Sequence, residues 1–250
     1  MMEAIFQAQK LNNEGVEAMK RGDEAVAVTS LAKAIKLLKQ NVASSSTPTN
    51  NSNPASDDED ENDTKKATSC LSQAQHYTVA LPEMGDEQQS FIFNEAIIVS
   101  TPSPYDDEDE EVSEEHVHVY TGIVIFNLAL AHHRKAKSSQ ITTGRCGCLT
   151  KADKLYGMAL KILGHDFSNT ISVLVKLASI NNMAVIRFEM GDSESAKSGL
   201  QHLSKMLQQC SDLTPNMSCA TDSPMFQEPQ IKGLLMNVLL LRAPRVAPAA

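Results

Sequence analysis

The chain has 250 residues, of which 42% are hydrophobic, and its formal net charge is -9. This length can bury a sizeable core in one domain, but aromatic residues make up only 4% and Trp is absent, so the core must be mainly aliphatic. Lys and Arg do not cluster as a nucleic-acid surface requires, so we expect no nucleic-acid partner.

The cysteines and the first residues indicate the compartment. The five cysteines are scattered without the spacing of a disulfide framework or a zinc site, so we expect reduced thiols. The opening MMEAIFQAQK has no signal-peptide core, and no uninterrupted apolar run approaches the roughly 18 residues of a membrane span. We therefore expect a cytoplasmic protein, with the nucleus as the alternative, that does not bind membranes.

Residues 1–40 predict the first element, a pair of antiparallel helices. Gly22 and Asp23 interrupt a stretch rich in helix formers, so they indicate a turn in which Asp23 caps the second helix. Small residues on the helical faces allow the two backbones to approach closely. The defining positions of this unit are Gly15, Gly22, Ala27 and Ala34.

Residues 41–113 predict an insert between helix pairs. Residues 41–69 are polar, acidic and proline-bearing, so we expect disorder there and again in the acidic stretch after residue 100. Almost half of the 31 acidic residues lie in these stretches and at the start of the next helix. By contrast HYTVAL and SFIFNEAIIVS, within residues 76–100, are β-branched and aromatic, which predicts a small β-hairpin packed on the helices.

Residues 114–211 predict a second and a third helix pair. GIVIFNLALAHH and TKADKLYGMALKIL form the second pair, and SSQITTGRCGC lies in a long turn between them. The third pair repeats the Gly-Asp turn of the first, at Gly191 and Asp192. The defining small residues are Ala129, Ala152 and Ala159 in the second pair, and Ala184, Gly191 and Ala196 in the third.

Residues 212–242 predict a loop and a closing helix. IKGLLMNVLLL is apolar on almost every side, as expected of a helix that covers the exposed core face of the last pair. An oligomer contact is the alternative. Residues 243–250 form a tail.

The order small residue, Gly-Asp turn, Ala, Leu, Ala in the first and third pairs resembles the tetratricopeptide repeat, a helix pair of about 34 residues. FNLALAHH and the closing APAA are also similar to uncharacterised repeat proteins from microalgae. The resemblance covers about half of the chain, because insertions interrupt the repeat. It implies a mostly α fold, an α-solenoid of three hairpins plus a closing helix, into which a small β-hairpin and disordered acidic loops are inserted.

Asn13, Asn127 and Asn182 occupy the same place in the first helix of each pair. In some tetratricopeptide proteins this asparagine faces a concave groove and binds the main chain of an extended peptide, which suits a carboxamide because it both donates and accepts. The alternative is that the asparagines brace neighbouring helices. The residues that follow two positions later are Gly15, Ala129 and Ala184.

The resemblance implies a non-enzymatic scaffold that binds a peptide or partner helix in the groove. A structural subunit of a larger assembly is one alternative, and a domain controlled through phosphorylation of the acidic insert is another. Family members that bind the acidic tail of heat-shock chaperones use Lys, Arg and Asn at set positions. Only Asn127 matches that set, so we do not expect this partner.

We expect no metal, cofactor or catalytic residue. Helical metal ligands are three or four residues apart, whereas His116 and His118 are two apart and His132 and His133 are adjacent. Cys146 and Cys148 lie in the predicted long turn without a second cysteine pair. A nucleophile elbow, a phosphate loop and an HExxH motif are also missing from the sequence.

Overall fold

The protein is mostly helical in the computed structural model, which describes residues 2–45, 77–79, 92–99, 114–139, 141–164, 169–213 and 233–239. Six helices are α1 (Met2–Lys20), α2 (Glu24–Ser45), α3 (Glu114–Ser138), α4 (Thr142–Leu163), α5 (Thr170–Glu189) and α6 (Ser193–Leu213). Residues 233–239 form a further helix, α7. Two short strands are β1 (Tyr77–Val79) and β2 (Ile97–Val99).

The strands pair antiparallel, with Tyr77 opposite Val99 and Val79 opposite Ile97. Each strand has only three residues, far fewer than the predicted ribbon at 76–100. Residues 80–91, which would hold its turn, lie outside the described residues, as do the acidic segments 46–76 and 100–113.

The segment 214–232 and the predicted tail at 243–250 also lie outside the part of the chain that the structure describes. Two predicted boundaries were misplaced: α2 continues past residue 40 to Ser45, and α6 continues past residue 211 to Leu213. Adding a residue to an existing helix costs little compared with nucleating one, so small polar residues do not stop it.

The helices pack in sequence order, each against the next from α1 to α6. In addition α1 contacts α3, and α3 contacts α5, so these three helices lie side by side. α2 packs against both α1 and α3, and α4 packs against both α3 and α5. Side chains at corresponding positions of α1, α3 and α5 therefore lie along one surface.

The core is mainly aliphatic, as the composition predicts. One cluster of buried side chains extends from α1 to α5 and includes residues of the segment 92–99. A second cluster joins α5 and α6 to Leu234 and Val238 of α7. These two side chains are four residues apart and lie on one face of α7, which therefore packs on the last helix pair.

Both Gly-Asp pairs form the same kind of turn. Gly22 and Gly191 have φ angles of 77° and 85°, a left-handed conformation that favours glycine. The carboxylate Oδ1 of Asp23 accepts a hydrogen bond from the Val26 amide at 3.1 Å. Asp192 accepts the equivalent bond from Ser195, also at 3.1 Å. Each aspartate thus caps the helix that follows.

Two helix–helix contacts depend on glycine. A Cβ atom added to Gly15 would lie 2.7 Å from Cγ of Leu31, and one added to Gly122 would lie 2.5 Å from Cδ2 of Leu163. Both leucines are buried, so they cannot move aside without disturbing the core. Gly15 therefore brings α1 close to α2, and Gly122 brings α3 close to α4.

We expect Gly122→Ala to lower the free energy of unfolding by about 1–2 kcal/mol, because overpacking outweighs the better helix propensity of Ala. The matched control is Gly157→Ala in α4. There the new Cβ would meet only Cε of Met183 at 3.9 Å, so stability should rise by about 0.5–1 kcal/mol. Urea denaturation followed by circular dichroism measures both changes, and equal effects would contradict the close contact.

The predicted long turn between α3 and α4 was wrong. α3 ends at Ser138 and α4 begins at Thr142, so Cys146 and Cys148 lie in a helix and not in a loop. Thr and Gly each cost a helix less than about 1 kcal/mol, and extension of α4 towards its amino end overcomes that cost.

α5 is long and apolar enough to cross a membrane by length and composition, with a mean hydropathy of 1.4, although it holds no uninterrupted apolar run of that length. In this structure 83% of an apolar 18-residue stretch of α5 is buried inside the protein, where α5 contacts α3, α4 and α6.

Candidate functional site

The asparagine row consists of Asn13 in α1, Asn127 in α3 and Asn182 in α5. Because these helices lie side by side, the row crosses three helices on one surface. The chain's own residues 92–99, here called the inner segment, lie against it.

Each asparagine of the row makes two hydrogen bonds to the main chain of one residue. Asn182 accepts from the Phe93 amide at 2.9 Å and donates to the Phe93 carbonyl at 3.0 Å. Asn127 accepts from the Ile97 amide at 2.9 Å and donates to the Ile97 carbonyl at 2.8 Å. A residue on a neighbouring antiparallel strand would make the same two bonds.

Asn13 repeats the arrangement at Val99, accepting from its amide at 3.1 Å and donating to its carbonyl at 2.8 Å. The inner segment thus runs from α5 through α3 to α1, opposite to the order of the helices. The three bound residues, Phe93, Ile97 and Val99, are separated by even numbers of positions. In extended backbone, even spacing places their amide and carbonyl groups on one edge, and this edge meets the row.

The other edge of β2 faces β1. Ile98 lies opposite Thr78, and its main-chain groups point away from those of Ile97 and Val99. The main chain of β2 therefore has a partner on both edges, asparagine side chains on one and a strand on the other.

The side chains of the inner segment are buried as well as its main chain. Phe93 and Ile97 are fully buried, and Val99 is 4% exposed, whereas Asn94 is exposed. The Phe93 ring meets the edge of Phe126 in α3, with centroids 6.1 Å apart. Any residue could make the main-chain contacts, whereas the burial of these three side chains requires apolar residues.

A second set of asparagines, whose role was not predicted from the sequence, orients two members of the row. Asn12 donates to the Oδ1 atom of Asn13, and Asn181 donates to that of Asn182, both at 3.1 Å. The doubled asparagine of LNNEG and INNMA was the signal for these residues. In α3 the corresponding position is Phe126, which contacts the inner segment directly.

Hydrogen bonds also link the row across helices. Asn127 donates to Asn12 at 2.9 Å, which joins α3 to α1, and Asn12 also donates to the Ile97 carbonyl at 3.2 Å. Asn237 of α7 donates to Asn181 at 2.7 Å. Asn127 therefore does both things that were predicted as alternatives: it binds the main chain of the inner segment and it links two helices.

Tyr156 of α4 completes the site beneath Asn182. Its hydroxyl accepts a hydrogen bond from Nδ2 of Asn182 at 3.0 Å, and its ring lies 5.6 Å from that of Phe126. The side chain is fully buried, and burial raises the pKa of Tyr156 above its usual range. The phenol is therefore neutral at physiological pH, and it holds the Asn182 carboxamide in place.

His133 lies next to Tyr156 in the interior, with ring centroids 6.3 Å apart. It is 1% exposed, and neither ring nitrogen has a hydrogen-bond partner within the part of the chain that the structure describes. Burial, with a smaller effect of Lys137, lowers the pKa of His133 to about 3. Its neighbour His132 is half-buried, and burial together with Lys151 and Lys135 lowers its pKa too.

The small residues predicted to define the helix pairs lie mainly at helix contacts. The buried ones are Gly15, Ala27, Ala34, Ala129, Ala152, Ala159, Ala184 and Ala196, and Gly22 and Gly191 are exposed in the turns. Among the described residues, no group of three His, Cys, Asp or Glu side chains could hold a metal ion. Cys146 is exposed, Cys148 is partly buried, and both are free thiols.

Comparisons of the chain with models of protein families, with curated proteins and with solved structures give no match. The resemblance to tetratricopeptide repeats therefore stays a prediction.

Proposed function

We propose that the chain is a non-enzymatic protein-interaction scaffold of tetratricopeptide-like helix pairs, whose asparagine row holds an extended polypeptide by its main chain. The supporting observation is the set of paired hydrogen bonds from Asn13, Asn127 and Asn182 to single residues of the inner segment. In the isolated chain this polypeptide is the inner segment itself.

Three features support a solenoid of such pairs. The helices pack in chain order, α1, α3 and α5 adjoin one another, and α7 packs on the last pair. The identical Gly-Asp turns between α1 and α2 and between α5 and α6 support a common unit. Small buried residues at matching helix positions support the same unit in α3 and α4.

The chemistry of the row suits main-chain recognition. A carboxamide offers one acceptor and two donor hydrogens, so it can pair with both the amide and the carbonyl of one residue. Such pairing does not depend on the side chain of that residue. A row of three asparagines therefore fixes the direction and register of an extended segment. The buried surroundings of its side chains favour apolar residues.

Amide hydrogen exchange, measured residue by residue by NMR, tests the proposal. The amides of Phe93, Ile97 and Val99 should be protected, and Asn127→Ala should speed exchange at Ile97 most strongly, by at least tenfold. Asn94→Ala is the matched control, because Asn94 is the exposed asparagine of the same segment. Unchanged exchange at Ile97 in Asn127→Ala would overturn the proposed role of the row.

A structural subunit is the second candidate function. The burial of Phe93, Ile97 and Val99 favours it, since a site closed permanently by the chain's own segment would leave the outer surfaces for assembly. Control through phosphorylation of the acidic insert stays a prediction, because the acidic segments 46–76 and 100–113 lie outside the described residues.

A further inference from the structure

We infer that the inner segment is a ligand held in cis, which a separate peptide can displace from the asparagine row. This trans peptide is extended and has an aromatic residue followed by aliphatic residues four and six positions later. This pattern is that of Phe93, Ile97 and Val99. The inference rests on the proposed function and adds to it the class of peptide and the competition within the chain.

The contact between the row and the inner segment does not require a continuous chain. All six row contacts join a side chain of α1, α3 or α5 to the main chain of the inner segment, which is at least 30 positions away in sequence. A separate peptide of the same composition could make every one of them. The helices also contact one another in an unbroken series from α1 to α6 without the segment.

The buried side chains of the inner segment define a motif. Phe93 reaches Phe126 of α3 and is fully buried, and Ile97 is buried where β2 packs on α1 and α3. Val99 is the third buried anchor. Asn94 is exposed, so the position after the aromatic residue is free to vary. Burial of each anchor removes apolar surface from water, so a peptide with this motif should bind more tightly than a polar peptide.

The inner segment competes with any separate peptide for the row. The inner segment is joined to α3 through residues 100–113, and a connection of this length gives an effective concentration on the order of millimolar. A trans peptide with an intrinsic dissociation constant of about 1 μM would then appear roughly 1,000-fold weaker, because the cis segment must leave first. The wild-type chain should therefore bind such a peptide poorly until the connection is cut.

The experiment cuts the chain on both sides of the inner segment and measures the replacement of that segment by a probe peptide. Recognition sites for a specific protease are placed in 46–76 and in 100–113 of the full chain, so cleavage leaves the fragment with the inner segment held only by non-covalent contacts. The probe is a fluorescent peptide IFNEAIIV, the sequence of residues 92–99, with a solubilising lysine tail. Anisotropy measures its binding to cut and uncut protein.

We expect the probe to saturate the cut protein and to bind the uncut chain at least 30-fold more weakly. Peptides with Ala in place of Phe93 or Ile97 should lose at least tenfold in affinity, whereas Ala in place of Asn94 should change it less than threefold. Gel filtration should recover the native fragment as the probe enters, with the helical circular dichroism signal kept.

Two results would overturn the inference: no entry of the probe into the cut protein, or loss of the helical signal when the native fragment leaves. If the amides of Phe93, Ile97 and Val99 are nevertheless protected through the asparagines, the inner segment is a permanent part of the scaffold. The failure of displacement is therefore distinguishable from a failure of the proposed function.

Discussion

Replacing Asn127 and Asn182 together by Ala will lower the free energy of unfolding by at least about 4 kcal/mol. Each replacement leaves the buried amide and carbonyl of one residue, Ile97 or Phe93, without their partner, and an unpaired buried group costs about 1–3 kcal/mol. Domains of this kind are stable by about 5–15 kcal/mol, so the double variant will stand near the limit of folding.

Urea denaturation followed by circular dichroism measures this loss. Asn94→Ala is the control and should stay within about 0.5 kcal/mol of wild type, since its side chain is exposed. Asn127→Asp keeps the acceptor for the Ile97 amide but removes the donor to the Ile97 carbonyl. Its stability relative to Asn127→Ala therefore separates the contributions of these two hydrogen bonds. A double variant within about 1 kcal/mol of wild type would show that the row contributes little to stability.

Acid will destabilise the fold through His133. The folded-state pKa of His133 is lowered to about 3, whereas the histidine of the unfolded chain titrates near 6.5. Above pH 6.5 both states are neutral and His133 has no effect on the pH dependence. As the pH falls from 6.5 towards 3, only the unfolded chain takes up the proton, and stability falls by about 1.4 kcal/mol per pH unit from this residue.

The measurement is the free energy of unfolding at several values between pH 7 and 4 for wild type, His133→Phe and His133→Leu. Both substitutions remove the titrating group, so the fall with decreasing pH should be smaller by about 3 kcal/mol over this interval, whatever the stability at pH 7. Replacement of the exposed His202 by Leu is the control. Parallel curves for wild type and both His133 variants would show that His133 is not buried as a neutral ring.

Local signals made part of this fold predictable. The Gly-Asp pairs at Gly22 and Gly191 determine the turns by short-range chemistry, a left-handed glycine followed by a capping carboxylate. The equivalent positions of Asn13, Asn127 and Asn182 could likewise be found, because each lies two residues before a small residue of its own helix.

The occupant of the row could not be predicted. The bonds from Asn13 and Asn182 reach residues 86 and 89 positions away, and neither pattern nor propensity carries information over such distances. The bracing of α1 to α3 through Asn12 and Asn127 is equally non-local. The connection between α3 and α4 was missed for a different reason, since summed propensity cannot show how far an established helix extends.

The reversed direction of the inner segment has a consequence for the order of folding. The segment leaves the ribosome before α3 to α6, yet Asn182, which anchors Phe93, is made about ninety residues later. The first helix pair can form early, but the apolar stretch 92–99 must wait for nearly the whole remaining body before it is enclosed. A nascent chain interrupted before α5 would leave Phe93 without its anchor, and aggregation through that stretch is the expected fate of such incomplete products.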